Sequence, residues 1–271
     1  MSHITNHMPR KRFGQHFLID PHIINELVLL INAEKKDHLV EIGPGLGALT
    51  HYLIGTAYRY DAIELDRDLI APLNKQFGPD ASWHLHQSDA LQFDFACLVQ
   101  NNQALRIVGN LPYNISTPLL FHLLDFKNII QDMHFMLQQE VVTRLTAQPG
   151  DSEYGRLTIM MQYHCTAEYS LHVPPEAFDP PPKVESAVIK LTPHSLYPHI
   201  PELEKTLRHV VTTAFNQRRK TIANSLKSLA SSSVLESIGI DPTLRPQQLS
   251  LENYLHVAQF LQTASVGDIK L

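Results

Sequence analysis

The segment Leu39-Val40-Glu41-Ile42-Gly43-Pro44-Gly45-Leu46-Gly47 constrains this chain most, because an apolar run ending in closely spaced glycines reads as a strand that turns sharply into a helix. It opens an alternation. Residues 39–42 predict a strand, 46–54 a helix, 58–65 a strand and 68–77 a helix. Further strands are expected at 83–87, 105–108 and 133–137, with helices near 117–124 and 140–145. Upstream, Asp20-Pro21 is a helix cap followed by a first-turn proline, and Ile23, Ile24, Leu27, Val28 and Ile31 recur with helical spacing. This rhythm belongs to the α/β class, a parallel sheet with helices on both faces. From Thr192-Pro193 to Pro201 the chain is turn-rich, and the residues after Pro201 carry helical patterns without a strand. The boundary expected there divides an α/β domain, residues 1–195, from a small all-α domain, residues 196–271.

Composition narrows the function classes. With 271 residues, 44% of them hydrophobic and 18% charged, the chain can fill a core and has the make-up of a soluble protein. A net charge of −5 argues against coating nucleic acid by bulk charge, so any such contact must come from local patches. Two cysteines, Cys97 and Cys165, build no disulfide framework, and no apolar run approaches a membrane span. A cytoplasmic protein without a membrane association is expected. Sixteen histidines invite a metal, yet none stands in an H-E-x-x-H or Cys/His spacing, and His84 and His86 alternate with Trp83 and Leu85 as one face of a strand. No metal is expected.

The glycine turn is spaced G-x-G-x-G, which fits poorly with cradling a pyrophosphate. Gly43 and Gly45 instead let backbone pass close to a ligand. Glu64 ends the second strand of the alternation, where a carboxylate accepts both hydroxyls of a ribose. Asp89 follows the third, placed to accept from an adenine amino group with the Ala90 amide beside it. A ribose and an adenine without phosphates describe S-adenosyl-L-methionine. The stretch Asn110-Leu111-Pro112-Tyr113 then supplies an amide oxygen, a main-chain carbonyl held open before a proline, and an aromatic face. Together these make a clamp for the exocyclic amine of a stacked base.

These segments resemble the KsgA (RsmA) type ribosomal RNA adenine dimethyltransferases of the small subunit, across nearly the whole chain. The resemblance rests on Arg12-Phe13-Gly14-Gln15-His16-Phe17-Leu18, the glycine turn, Ile63-Glu64-Leu65-Asp66, Ser88-Asp89-Ala90, and Asn110 through Ser116. Gln139-Glu140-Val141-Val142, Val173 through Val184, and Phe215-Asn216-Gln217-Arg218-Arg219-Lys220-Thr221 add to it. It implies a Rossmann-like, seven-stranded S-adenosylmethionine-dependent core with a helical C-terminal domain. It also implies transfer to two adjacent adenosines near the 3′ end of 16S rRNA, in the small subunit or its precursor, by a monomer. Cofactor contacts are implied at His16, Leu18, Gly43, Glu64, Asp89 and Asn110, where the family commonly has asparagine in the place of His16. Asn110 and the Leu111 carbonyl are expected at the target amine, Tyr113 on one face of the adenine and Phe178 on the other. Arg218, Arg219 and Lys220 lead into Ile222, Leu226 and Leu229 at helical spacing; if the helix starts at the triplet its cations oppose the dipole, and contact with rRNA phosphates is expected there. A DNA adenine methyltransferase, a large-subunit resistance-type enzyme and a subunit-assembly checkpoint remain as alternatives.

Overall fold

The computed structural model describes residues 16–267; residues 12–15 of the first matching segment lie outside them. In chain order the elements are β1 (Phe17–Leu18), α1 (Pro21–Ile31), β2 (His38–Ile42), α2 (Thr50–Leu53), β3 (Arg59–Glu64), α3 (Arg67–Phe77) and β4 (Trp83–Gln87). Next come β5 (Leu105–Asn110), α4 (Ser116–Leu124), β6 (Ile130–Gln138), α5 (Gln139–Thr146), α6 (Arg156–Gln162), β7 (Cys165–Val173), β8 (Phe178–Asp179) and β9 (Ser186–Pro193). Helices α7 (Pro201–Phe215), α8 (Ile222–Ser225), α9 (Ser232–Ser237) and α10 (Leu251–Gly267) complete the chain.

The chain divides into two compact units, residues up to 142 with 166–193, and 143–165 with 194–271. In the first, a seven-stranded sheet runs β4-β3-β2-β5-β6-β9-β7. Strands β4, β3, β2, β5 and β6 are parallel, and β9 is antiparallel to β6, so the sheet is mixed rather than all parallel. The order reverses at β2, whose neighbours are β3 on one side and β5 on the other, and this opens a crevice beyond the strand ends. Strand β2 is buried along its whole length, as a central parallel strand covered on both faces must be.

Local chemistry sets the element boundaries. The Asp20 side chain accepts from His22 N at 2.8 Å and caps α1, whose apolar stripe Ile24, Leu27 and Ile31 is buried. At the other end of α1, the Arg106 guanidinium donates to the carbonyls of Ile31 and Asn32 at 2.6 and 3.3 Å. It holds Asp132 with two bonds, 2.9 and 3.0 Å, and Asp37 with one of 2.6 Å, so α1, β5 and β6 share one buried ion cluster. The helix expected over 46–54 shortens to Thr50–Leu53. Gly43, Gly45 and Gly47 have φ of +69°, +58° and +79°, so the chain winds through turns before it can become helical.

The second unit is helical, with α7 packed on α6 and α10 and with Leu203, Leu207, Val210, Val211 and Ala214 buried along α7. It also claims residues 143–165, which the sequence reading placed in the α/β domain. Their contacts explain why: Tyr154 meets Phe215, the Tyr163 hydroxyl donates to the Pro198 carbonyl, and Gly150 N donates to the Gln247 carbonyl at 2.7 Å.

Candidate active site

The crevice beyond β2, β3, β4 and β5 is built from main chain first. At Gly43 a Cβ would meet nothing within 4 Å, so the backbone here faces open space rather than packing. Two residues on, the Gly45 amide donates to Glu64 Oε2 at 3.2 Å, while Asp66 N donates to Oε1 at 2.8 Å. The Glu64 carboxylate is thereby fixed in orientation at the end of β3 and is only 6% exposed. Burial raises its pKa, against the pull of those backbone N–H groups. Ser88 N donates to the Glu64 carbonyl at 3.0 Å, which sets the turn carrying Asp89 and Ala90 beside it. Asp89 accepts from Leu91 N at 3.0 Å and from Gln92 Nε2 at 3.1 Å, an Asx-type turn that holds the carboxylate at the crevice wall.

The opposite wall is the end of β5. Asn110 Nδ2 donates to the His16 carbonyl at 2.9 Å, so the amide NH2 is engaged and Oδ1 is the end left to receive a donor. The Leu111 amide donates to the Met136 carbonyl at 3.2 Å, which pins the main chain before Pro112. Tyr113 is held by its hydroxyl, 2.6 Å from Ser186 Oγ, and by its carbonyl, which accepts from Ser116 Oγ at 3.0 Å. Its ring stacks on His16 with centroids 5.9 Å apart and planes at 24°.

His16, Leu18, Gly43, Gly45, Glu64, Asp89, Ala90, Asn110, Leu111 and Tyr113 all line this one crevice. Phe178 does not. It is 2% exposed, pairs with Leu18 in the β1–β8 ribbon and packs in the core with Val173, Ala177 and Val188. A ring so enclosed is a core anchor, and the expectation of Phe178 as an open stacking face is corrected.

The basic triplet is also corrected in place. Arg218, Arg219 and Lys220 are exposed in the turn between α7 and α8, and helix α8 begins only at Ile222. They follow the carbonyl end of α7, where a helix dipole favours cations, so no local rule is broken. The Arg218 guanidinium donates to the Ser152 carbonyl. The first amides of α8 are taken by the carbonyls of Leu244 and Pro242.

One crevice residue had no role in the sequence reading. Glu41 on β2 is 2% exposed and accepts from the hydroxyls of Thr50 and Tyr60, the latter at 2.7 Å. Burial pushes its pKa up to about 7. Its signal was present, a carboxylate inside an otherwise apolar strand. Among the described residues no group of three or more His, Cys, Asp or Glu side chains could hold a metal ion. Among them, too, no helix is long and apolar enough to cross a membrane.

An open glycine turn at the switch point, an oriented carboxylate after β3, an Asx turn after β4 and no phosphate cradle suit a nucleoside-bearing sulfonium. The fold and site are those of an S-adenosylmethionine-dependent methyltransferase. Residues 6–263 match the family model described as Ribosomal RNA adenine dimethylase, and the chain belongs to that family. It is 54% identical over 261 residues to the Ribosomal RNA small subunit methyltransferase A of Pseudomonas aeruginosa, covering 96% of this chain and 97% of that one. The protein of the same description from Alcanivorax borkumensis is 52% identical over 255 residues, covering 94% and 91%. Among solved structures, a dimethyladenosine transferase from Plasmodium falciparum aligns with TM-score 0.77 and 24% identity, covering 92% of this chain and 98% of that one. The 23S rRNA methyltransferase ErmE gives TM-score 0.74 and 22% identity over 91% and 99%. At those identities both attest the fold alone.

Proposed function

We propose that this protein moves methyl groups from S-adenosyl-L-methionine to N6 of two adjacent adenosines near the 3′ end of 16S rRNA, giving N6,N6-dimethyladenosine during ribosome biogenesis in the cytoplasm. It acts as a monomer on the small subunit or its precursor. The full-length likeness to proteins described as Ribosomal RNA small subunit methyltransferase A supports this substrate. The observation that carries the chemistry is the Asn110 amide, whose NH2 is tied to the His16 carbonyl.

When bound, the cofactor supplies an electrophilic methyl group on a sulfonium that is already a good leaving group. His16 and Leu18 would hold it from the N-terminal wall of the crevice, Gly43 and Gly45 from the glycine turn, and Glu64 would take the ribose hydroxyls. Asp89 and the Ala90 amide would read the adenine edge. At the acceptor, Asn110 Oδ1 and the Leu111 carbonyl receive the two N6 hydrogens in the first transfer and share the one that remains in the second, which draws the nitrogen toward the tetrahedral form whose lone pair can attack. Tyr113 gives the target base a face to stack on. Held in this way, the N6 lone pair would take the methyl group in exchange for the sulfonium's C–S bond, and the surplus N6 proton would leave to water. No strong base is needed, so positioning dominates the rate. Arg218, Arg219 and Lys220 meet RNA phosphates.

Asn110→Ala tests this reading. Single-turnover transfer to unmethylated small subunits should fall on the order of a hundredfold, while subunit binding changes little. A near-normal rate would remove Asn110 from the acceptor clamp.

A further inference from the structure

Tyr113 is anchored at both of its ends. At the main-chain end its carbonyl accepts from Ser116 Oγ at 3.0 Å, and the Ile115 amide donates to the Pro112 carbonyl at 3.1 Å. The far end reaches a residue 73 positions away: the phenol oxygen lies 2.6 Å from Ser186 Oγ. Ser186 opens β9, is 0% exposed, and stands in register with Gln138 of β6. One step before it, the Gln139 amide donates to the Glu185 carbonyl at 3.0 Å. The Ser186 hydroxyl is therefore a fixed point of the sheet. Burial raises the Tyr113 pKa against the pull of the Ser186 bond, so the phenol keeps its proton and the pair joins two neutral hydroxyls.

In a tyrosine the Cβ–Cγ bond and the Cζ–O bond lie on one line, so a bond to the hydroxyl fixes the direction of the ring and leaves only rotation about that line. The stack on His16, with centroids 5.9 Å apart and planes at 24°, limits the rotation. Direction and tilt of the ring are thus set by two different contacts. We propose that Ser186, which does not line the crevice, is a positioning residue for the methyl acceptor: by aiming Tyr113 it sets where the target base stacks relative to Asn110 and the Leu111 carbonyl. A base displaced by about 1 Å would carry N6 out of line with those two acceptors. This inference rests on the proposed transfer to an adenine and deepens it.

Breaking the bond from either side tests this. Ser186→Ala removes the hydroxyl from the sheet, and Tyr113→Phe removes it from the ring while keeping the stacking face. In each, the single-turnover rate on unmethylated small subunits, at saturating cofactor and subunit, should fall about tenfold. In Ser186→Ala the cofactor Kd should stay within about twofold of wild type. The double variant should be no slower than the slower single one, because the two changes delete one bond. Losses that multiply in the double variant would overturn the proposal, as would a lowered Tm with a wild-type saturated rate. If Ser186→Ala does not fold, Tyr113→Phe decides alone, and a wild-type rate there overturns the proposal. A second readout needs no RNA. In tyrosine-labelled protein, with the Tyr113 signals identified by their loss in Tyr113→Phe, three-bond NMR couplings to the ring should report one χ1 rotamer in the wild type and an average of rotamers in Ser186→Ala. An unchanged single rotamer in Ser186→Ala would contradict the proposal. Failure of the wild-type protein to methylate small subunits would count against the proposed substrate, and the rotamer would still decide the role of Ser186.

Discussion

At the scale of single residues, Glu64 holds the largest share of the cofactor argument, because its two oxygens are aimed by the Gly45 and Asp66 amides and its surroundings are nearly dry. Burial raises its pKa, so acid protonates it more readily than an exposed glutamate. Only the carboxylate accepts from two hydroxyls. Cofactor affinity should therefore weaken as pH falls through that raised value and be constant well above it. Glu64→Gln should lose about 1.5 to 3 kcal/mol of cofactor binding at pH 8 and show no acid-side decline of its own, both measured by calorimetry. Wild-type affinity in the variant would take Glu64 out of the site. The position of Glu64 was legible because its order after a glycine turn repeats a simple geometric relation between strand ends. Phe178 was not, since flanking prolines describe a stiff loop without saying which way the ring turns. Its 2% exposure among Val173, Ala177 and Val188 shows that it packs in the core.

At the scale of elements, Glu41 links β2 to α2 and β3 through the Thr50 and Tyr60 hydroxyls. With a pKa of about 7 against an ordinary 4.5, the folded chain holds a proton there that the unfolded chain releases. That proton's contribution to stability is complete below pH 4.5 and is lost as pH rises through about 7. Glu41→Gln keeps the acceptor for both hydroxyls and removes the titration. Relative to wild type the variant should gain as much as about 3 kcal/mol of stability between pH 4.5 and 8, seen in parallel denaturant melts. A pH-independent difference would mean that Glu41 titrates normally. The alternation of strands and helices was readable because apolar period and glycine spacing are local properties. The start of α2 was not, because the phrase after Ile42 looks helical until the positive φ of Gly45 and Gly47 is known. The start of α8 was left open for a similar reason: a basic triplet followed by Ile222 and Leu226 has helical spacing, yet the residues 216–220 form turns and bends and the helix begins at Ile222.

At the scale of the molecule, five parallel strands were visible as apolar runs, while β7 and β9 entered only through the family likeness. Strand β7 is largely open to solvent along its length, and β9 follows a proline-rich stretch that reads as loop. The helical unit's claim on residues 143–165 depends on contacts far apart in sequence, such as Tyr154 with Phe215. In that unit Arg218, Arg219 and Lys220 are exposed on an acidic protein of net charge −5, so an RNA contact there must be local. Changing all three to Glu should leave Tm and cofactor affinity nearly unchanged while small-subunit binding weakens and its log-log salt slope becomes shallower by up to about three. An unchanged slope would place the RNA surface elsewhere. Methyl mapping tests whether the protein dimethylates adenine N6 in small-subunit rRNA. Labelled S-adenosylmethionine is supplied with unmethylated small subunits, large subunits, free RNA and DNA, and the products are digested and located. The expected product is N6,N6-dimethyladenosine at two adjacent positions near the 3′ end of 16S rRNA in small subunits, with little label in the other three substrates. Label concentrated in 23S rRNA or in DNA, or monomethylation at a single site, would contradict it.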